Sequence, residues 1–377
     1  MIFTSLRNSL ILIILTVNAH AATAQDILIG QTTDLSSLAG SQMHDYNEGA
    51  QLVFHAVNAS GGLNGRHIKL VSLDDAYGAP AAQKNAEKLA ANPNILAFFG
   101  SRGSNPTDEV IKVADREQIV LVAPVNGADS VRKSKYVFPV RASYKNEIDA
   151  ILKYYSVMHT QLAVLVQDDK FGQPLFAYIK ERLADPKLSS VSLVGGITFG
   201  RRADELTEAA GKILALKPSA VIALCNPTAC AQFLISLHNK TAAERALRPA
   251  VAQLSNIDML DQLKVIGGAN MSGNPFTQVM PDPRCGQFVA CRDFVAAATK
   301  AKVDINYRTF EGYISALVLV EGMRRSKSMT RQGIKDGLES LGSIKIGGFI
   351  IDYSPTQHLG STYVELVSFD KYGRVLH

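Results

Sequence analysis

Short apolar runs alternate with longer amphipathic segments along the chain from residue 26 onward. The apolar runs predict strands, and the segments between them predict helices that each carry one apolar stripe. In the first part of the chain the predicted strands cover 27–31, 68–73, 95–99 and 119–123, and the predicted helices cover 45–59, 79–92 and 107–117. Near-continuous apolar strands in this βαβα order favour a parallel sheet with helices on both faces.

The same alternation restarts near residue 145. It predicts strands at 162–167, 191–197, 220–224 and 249–253, separated by helices at 145–158, 174–184, 204–216 and 229–239. Two further helices are predicted at 310–324 and 333–341, followed by β-hairpins between residues 348 and 369. The fold class is therefore α/β, with two consecutive units that each contain a parallel sheet.

The first residues have the pattern of a secretory signal peptide. Arg7 supplies a short positive region, 10–17 is apolar, and Ala22-Thr23-Ala24 offers small residues for cleavage. We predict export with 1–24 removed after Ala24, and cleavage after Ala21 is the second choice. An uncleaved anchor is the weaker alternative, because the apolar run is about half of the ~20 residues that span a bilayer.

Composition is that of a globular protein of two domains. The chain has 377 residues, of which 47% are hydrophobic and 19% are charged. The formal net charge of +5 is spread along the chain, and the densest basic run, 323–331, holds only four Lys or Arg residues. Nucleic-acid binders concentrate their positive charge on one face, so we expect no nucleic-acid partner.

Four cysteines form two pairs that are close in sequence, Cys225 with Cys230 and Cys285 with Cys291. Export would place them in an oxidising compartment, where two local disulfides are the expected outcome. Four cysteines allow three connectivities, and the sequence does not choose between them. A zinc site is poorly supported, because the spacings are five and six residues rather than two.

The sequence carries no common catalytic motif. It has no Gly-x-Ser-x-Gly, no Walker A and no His-Glu-x-x-His pattern. The glycine-rich segment 61–65 follows a helix and lacks the G-x-G-x-x-G order of a dinucleotide site. We therefore expect a binding protein rather than an enzyme, with no catalytic residues, no metal and no cofactor.

Small and polar residues follow the predicted strands. In an open parallel sheet, ligands bind outside the carboxyl ends of the strands. These ends carry the clusters 32–34, 100–104, 124–127, 167–169 and 225–227. If the two sheets face each other along these edges, the clusters line a cleft between them.

Read in order, several segments resemble one family. They are Ile27–Gly30, Asn47–Ala50, Ala56–Gly65, Leu73–Ala76, Ile119–Pro124, Val137–Arg141 and Asp169–Gly172. The series resembles the periplasmic solute-binding proteins of the leucine/isoleucine/valine type, the branched-chain amino-acid receptors of ABC importers. The resemblance covers nearly all of the mature chain, and it is strong through Phe171 and weaker after Ser255.

This resemblance implies a type I periplasmic binding fold, in which two Rossmann-like lobes are joined by three crossovers and close on a small ligand. It also implies a periplasmic, monomeric receptor whose partners are an amino-acid-like molecule and an inner-membrane ABC permease. Lobe one is predicted at 26–143 plus 281–345 and lobe two at 144–273 plus 349–377, with crossovers near 141–144, 274–279 and 346–348.

The resemblance also suggests ligand contacts on lobe one. Ser104 lies at the position that binds a ligand carboxylate, and the helix start that follows Gly103 favours an anion. The alternative is that Ser104 only caps a helix beginning at Thr107. Asn126 and Gly127 match the second anchoring loop, or else form an ordinary turn before a helix that Asp129 caps. Gln42 is a further polar candidate.

Phe171 and Asn226 are the candidates on lobe two. Phe171 matches an aromatic lid, with a buried core position as an equal alternative. Arg102 stands where the family commonly has an apolar or small residue. It could pair with a second acidic group of a ligand, although a solvated surface position is slightly favoured.

One departure concerns the ligand ammonium group. Where the family presents an acidic residue, this chain reads Leu254-Ser255-Asn256, and Asp258 would need a shift in register. Ser255 is retained as the candidate contact. The departure keeps open a receptor for a non-amino-acid such as an aromatic acid or amide. Separately, the same two-lobed receptor could signal to a membrane sensor rather than serve an importer.

Overall fold

The first part of the chain alternates strands and helices as predicted. In the computed structural model, which describes residues 25–37, 40–200 and 202–377, this part contains β1 (Ile27–Thr33), α1 (Ser41–Ala59), β2 (Ile68–Asp74), α2 (Ala79–Ala90), β3 (Ile95–Phe99), α3 (Ser104–Glu117), β4 (Val120–Val122) and β5 (Val137–Phe138). The predicted signal peptide, 1–24, lies outside the described residues. The strands form one parallel sheet in the order β2-β1-β3-β4-β5.

The second part repeats this arrangement. It contains α4 (Tyr144–Tyr155), β6 (Thr160–Gln167), α5 (Gly172–Arg182), β7 (Val191–Phe199), α6 (Ala203–Ala215), β8 (Ala220–Leu224), α7 (Pro227–Lys240), β9 (Ala250–Gln253), α8 (Met259–Ile266), α9 (Gly268–Met271) and β10 (Phe276–Gln278). Strands β6 to β10 pair in parallel. The fold class predicted from the hydrophobic pattern, α/β with two parallel sheets, is confirmed.

The remaining elements complete both units. They are α10 (Val289–Ala301), α11 (Tyr307–Arg325), α12 (Arg331–Glu339), β11 (Ser343–Ile346), β12 (Phe349–Tyr353), β13 (His358–Gly360), β14 (Glu365–Phe369) and β15 (Val375–Leu376). Strands β14 and β15 extend the second sheet, whose order is β15-β14-β10-β9-β8-β6-β7, and β14 pairs antiparallel with β10. Strands β11 to β13 form a separate antiparallel sheet.

Helix α11 belongs to the first unit and packs against α1 at very short range. A Cβ atom on Gly49 would lie 1.8 Å from the Thr309 carbonyl oxygen, and a Cβ atom on Gly312 would lie 1.8 Å from the Tyr46 carbonyl oxygen. Only glycine allows two helix backbones to approach this closely. The two helices therefore form one side of the first core, to which α1 contributes Phe54 and α11 contributes Phe310.

The chain passes between the two units three times, and the third passage lies later than predicted. Strand β12 packs in the core of the first sheet, and the His358 ring of β13 stacks on Phe138 with ring centroids 3.8 Å apart. Strand β14 then belongs to the second sheet. We infer that the third crossover is 361–364 rather than 346–348, and that 349–360 belongs with lobe one.

Candidate functional site

A cleft of about 620 Å³ lies between the carboxyl ends of the two parallel sheets. Loops that follow β2, β3 and β4 line one wall, and loops that follow β6, β7 and β8 line the other. Carboxyl ends of parallel strands are where such sheets bind ligands. The described lining residues include five of the predicted site residues, which are Gln42, Arg102, Ser104, Phe171 and Asn226.

Arg102 is buried in the wall of this cleft. One guanidinium nitrogen, Nη1, donates to Asp34 Oδ2 at 3.1 Å, and Nη2 donates to Gln42 Oε1 at 3.2 Å. Burial lowers the pKa of Arg102 from its ordinary value, but a guanidinium stays protonated in proteins. The favoured interpretation of Arg102 as a solvated surface residue is therefore wrong, because its side chain is only 6% exposed.

Ser104 is the first residue of α3 and lines the cleft. The N-cap position belongs to Gly103, which provides no side-chain cap, so the interpretation of Ser104 as the cap of a helix beginning at Thr107 is wrong. The first residues of α3 therefore line the cleft, and no side chain at the cap accepts from their backbone N–H groups. This end of a helix of 14 residues favours a negatively charged group.

Asn126 and Gly127 lie behind the cleft wall rather than on it. Asn126 is buried, and its Oδ1 atom accepts a hydrogen bond from Ala128 N at 2.9 Å and from Ser104 Oγ at 3.5 Å. The Gly127 carbonyl accepts from Tyr144 N at 2.9 Å. The structure thus gives this loop the role of a support for Ser104, while the neighbouring Val125 lines the cleft.

The loop after β6 carries Phe171 to the opposite wall. Asp169 shapes this loop, because its Oδ1 atom accepts from Phe171 N at 2.9 Å and Gly172 N at 3.0 Å. Its Oδ2 atom accepts from Gln167 Nε2 at 2.6 Å. The Phe171 ring is partly buried and packs edge-on against Tyr144, with centroids 5.1 Å apart. Phe171 therefore has both proposed characters, since one side packs in the core and another faces the cleft.

Asn226 is the N-cap of α7 and also lines the cleft. Its Oδ1 atom accepts from Ala229 N at 3.0 Å, and its Nδ2 atom donates to Gln167 Oε1 at 3.0 Å. The disulfide between Cys225 and Cys230 closes this turn, as predicted, with Cα atoms 5.5 Å apart. A short covalent loop of this kind fixes the position of the cap and of the first turn of α7.

The second predicted disulfide is not present. Cys285 and Cys291 are free cysteines, although their Sγ atoms lie only 2.7 Å apart. Burial raises the pKa of the Cys291 thiol to about 12, so this thiol is protonated at neutral pH. Both residues lie in or beside the start of α10, away from the cleft.

Ser255 does not line the cleft but lies in a buried polar network. Its hydroxyl donates to Glu147 Oε1 at 2.9 Å and accepts from Arg141 Nη2 at 2.7 Å. Its backbone carbonyl accepts from Arg308 Nη2 at 2.5 Å. Asp258, the second candidate for a ligand ammonium, instead caps α8 by accepting from Leu260 N at 2.9 Å.

This network connects the first chain passage with elements of both units. Arg141 lies in the first passage, Glu147 in α4, and Thr277, which donates to Glu147 Oε2, in β10. On α11, Glu311 lies 3.2 Å from Arg141 Nε and 3.0 Å from Arg308 Nη1. Two buried arginines thus face two buried glutamates, and burial raises the pKa of Glu147.

Three aromatic residues that were not among the predicted contacts also line the cleft, namely Tyr77, Tyr144 and Phe199. Tyr77 is the most distinctive, because it and Ala76 both adopt a left-handed backbone, with φ of 62° and 47°. This conformation is unfavourable for residues other than glycine, asparagine and aspartate. The only available signal was position, since Tyr77 follows the carboxyl end of β2.

Asp75 holds the strained turn that carries Tyr77. Its Oδ1 atom accepts from Tyr77 N at 3.0 Å, and its Oδ2 atom accepts from Thr32 Oγ1 at 3.1 Å. Burial raises the pKa of Asp75 to about 6, with the nearby carboxylates of Asp34 and Asp74 adding to the increase. The buried environment of Asp75 therefore favours the protonated carboxyl over the ionised carboxylate.

We predict that Asp75→Asn flattens the pH dependence of stability below neutral pH. The raised pKa means that the folded state holds a proton that the unfolded chain releases. The stabilisation from this carboxyl is therefore complete below its ordinary pKa of 3.8 and is lost as pH rises through about 6. The difference is about 3 kcal/mol. Thermal melts across this pH range should show the Tm of the variant rising relative to that of the natural protein as pH increases. Parallel plots of Tm against pH for the two proteins would contradict the raised pKa.

Fold and cleft together define a class of protein, a two-unit α/β protein with a ligand-sized cleft between its sheets. No group of three His, Cys, Asp or Glu side chains that could hold a metal is found among residues 25–37, 40–200 and 202–377. Over the same described part of the chain, no helix has the length and apolar character of a membrane span.

A family model described as periplasmic binding protein matches residues 26–373, so the chain belongs to the periplasmic binding protein family.

Curated relatives support the predicted leucine/isoleucine/valine type. A Leu/Ile/Val-binding protein of Escherichia coli K12 is 22% identical over 188 residues, which is 49% of this chain and 51% of the relative. A chemotactic signal transduction system substrate-binding protein of Halobacterium salinarum is 26% identical over 246 residues, or 62% of this chain and 58% of the relative. The chain thus spans about half the length of the curated relatives it matches.

Solved structures extend the similarity over most of the chain. The extracellular ligand-binding receptor from Verminephrobacter eiseniae superimposes with a TM-score of 0.85 at 25% identity. The match covers 93% of this chain and 100% of that receptor. The predicted type I periplasmic binding fold is therefore confirmed.

Proposed function

We propose that the protein is an exported receptor that binds a small amino acid or a related carboxylic acid in the cleft between its two lobes. The observation that carries this proposal is the convergence of Arg102 and the uncapped start of α3 on one wall of a cleft of about 620 Å³. A guanidinium and helix N–H groups are the partners that a carboxylate prefers. The receptor performs no covalent chemistry on its ligand.

The opposite wall supplies closure. Phe171 and Asn226 extend from the second sheet toward the same space, and hinge motion about the three chain passages would bring them onto a ligand held by the first wall. The closed form would then dock on an inner-membrane ABC permease in the periplasm. Membership of the periplasmic binding protein family supports this location and this partner.

A sensing role is the second candidate. It is favoured by the similarity to the chemotaxis substrate-binding protein of Halobacterium salinarum. Deleting the gene in the source organism separates the two roles, since a transport receptor is required for uptake of the labelled ligand. A sensing receptor is instead required for the motile or transcriptional response, with uptake unchanged.

A thermal-shift screen of the refolded mature protein, freed of co-purified ligand, tests the binding role. The panel contains amino acids, dicarboxylates, aromatic acids and uncharged amides. A ligand that binds only the native state raises the free energy of unfolding, by about 2.7 kcal/mol at a ligand concentration one hundred times Kd. Tm rises as a result. A Tm that no carboxylate raises would contradict the proposed function.

Ser104→Ala is predicted to weaken binding of the tightest carboxylate by about tenfold, because it removes a hydroxyl that would turn from Asn126 Oδ1 to a charged acceptor on the ligand. Isothermal titration calorimetry of the purified variant measures the change. Ser189→Ala, at an exposed serine beyond the end of a short helix, is the matched control and should bind as the natural protein does. Equal affinities for both variants would exclude Ser104 as a contact.

A further inference from the structure

The charged and polar groups on the first wall of the cleft suit a carboxylate. Arg102 still has N–H groups beyond those that bind Asp34 and Gln42, since a guanidinium carries five donors. The start of α3 adds backbone donors at Ser104. This wall therefore supplies one complete anion subsite.

An amino acid would also need an acceptor for its ammonium group. Among the described residues that line the cleft, Asp169 is the only acid. Its two oxygens already accept hydrogen bonds from Phe171 N, Gly172 N and Gln167 Nε2. Asp34, behind the wall, accepts from Arg102 and from Ser37. The lining carboxylate is therefore already engaged in shaping its own loop, and an ammonium buried beside it would compete with three existing hydrogen bonds.

Four aromatic residues also line the cleft. Tyr77 lies on the first wall, while Tyr144, Phe171 and Phe199 lie on or near the second. The left-handed backbone at Tyr77 holds its ring against Gly103, where an added Cβ would lie 2.5 Å from Tyr77 Cε2. The Arg102 guanidinium carbon lies 5.2 Å from the centre of the same ring. The anion subsite is therefore continuous with an aromatic wall.

We propose that the ligand is an aromatic carboxylate without an α-ammonium group. Its carboxylate binds Arg102 and the start of α3, and its ring packs against Tyr77 on the first lobe and is covered by Phe171 on closure. Aromatic pairs in offset or edge-on geometry stabilise such packing beyond the area they bury. The inference rests on the proposed binding function and specifies the ligand class of that same cleft.

Matched ligand pairs test this assignment on the mature protein. Hydrocinnamate is L-phenylalanine without its amino group, and isocaproate is L-leucine without its amino group. We expect calorimetry to show hydrocinnamate binding at least about tenfold more tightly than L-phenylalanine. Hydrocinnamate should also bind more tightly than isocaproate, which lacks the ring.

The outcomes separate the two levels of the proposal. Tighter binding of L-phenylalanine or L-leucine than of its deaminated partner would overturn the ligand class and leave the receptor function standing. Binding of isocaproate as tight as that of hydrocinnamate would overturn the aromatic assignment alone. Failure of every carboxylate to bind would overturn the ligand class and the receptor function together.

Tyr77→Ala tests the ring contact directly. We expect about a tenfold loss of hydrocinnamate affinity and a much smaller loss for isocaproate, because only the first ligand has a ring to pack. Tyr372→Ala, at a tyrosine that is 71% exposed, is the matched control and should leave both affinities unchanged. Circular dichroism verifies that both variants are folded. An equal loss for the two ligands, or none, would overturn the role of Tyr77.

Discussion

Replacing Arg102 with Met should abolish measurable binding of carboxylates to the receptor, with an affinity loss of about 100-fold or more. Removing one partner of a buried, hydrogen-bonded charge pair costs about 2–5 kcal/mol of binding free energy. Arg102 is the only cationic side chain among the described residues that line the cleft. Calorimetric titration with the tightest carboxylate of the screen measures the effect.

The same change should also destabilise the free protein, because it leaves the Asp34 carboxylate buried without its cation. Asp34 is 0% exposed, and the loss of a buried partner costs about 3–5 kcal/mol. The double variant Arg102→Met/Asp34→Asn removes both charges, while the introduced side-chain amide can still accept the hydrogen bond from Ser37 N. It should regain most of the stability and none of the affinity.

This double variant distinguishes a binding role from a structural one. If affinity returned together with stability, Arg102 would act only by holding the wall in shape, and the anion subsite would lie elsewhere. If affinity stayed lost in a protein that melts near the natural temperature, the guanidinium itself would be a ligand contact. Chemical denaturation and calorimetry on the same preparations give both quantities.

Strands of five or more residues were predictable because continuous apolar runs bounded by turns leave few alternatives. The bounds of β3 and β8 agree with the prediction at both ends. Strands β5 and β10 have only two and three residues, so no period of alternation exists for a sequence to display. Their place in the sheets is fixed by neighbouring strands that are distant in sequence.

Site residues were predictable as loops and less so as side chains. The clusters after β3, β6 and β8 do meet in one cleft, because parallel strands end at the same edge. Burial of Arg102, however, depends on Asp34 and Gln42, which lie 68 and 60 positions away in sequence. An isolated sequence offers no indication of which distant partner makes burial of a charge favourable.

The directions in which side chains point explain the remaining differences between the predicted contacts and the residues that line the cleft. In the segment after β9, Asn256 lines the cleft, while the predicted contact Ser255 points into the polar network between the lobes. Neighbouring residues at a strand end project in different directions, so an assignment that is off by one residue selects the wrong environment. Tyr77 was missed because its left-handed backbone has no signature in residues of this type.

The polar network between the lobes gives the second large effect, in which Glu311→Gln should destabilise the protein by about 3–5 kcal/mol. Glu311 lies between Arg141 and Arg308, and all three are nearly inaccessible to water. Removing its charge takes the nearest carboxylate from both guanidinium groups and leaves Arg308 with Asp258, whose Oδ2 atom lies 3.7 Å from Arg308 Nε. Loss of one partner of a buried ion pair is strongly unfavourable. Unfolding by urea, followed by circular dichroism, measures the free energy of unfolding.

Helix α11 provides a matched control in Glu321, which pairs with Arg325 at 3.0 Å on the surface. An exposed pair four residues apart contributes about 0.3–0.5 kcal/mol, so Glu321→Gln should have almost no effect. Adding Arg308→Met to Glu311→Gln removes one excess positive charge and should recover part of the lost stability. If Glu311→Gln were as mild as Glu321→Gln, then Ser255, Glu147 and Asp258 would be sufficient partners for the two guanidinium groups. The charge of Glu311 would then not be needed to hold the lobes together.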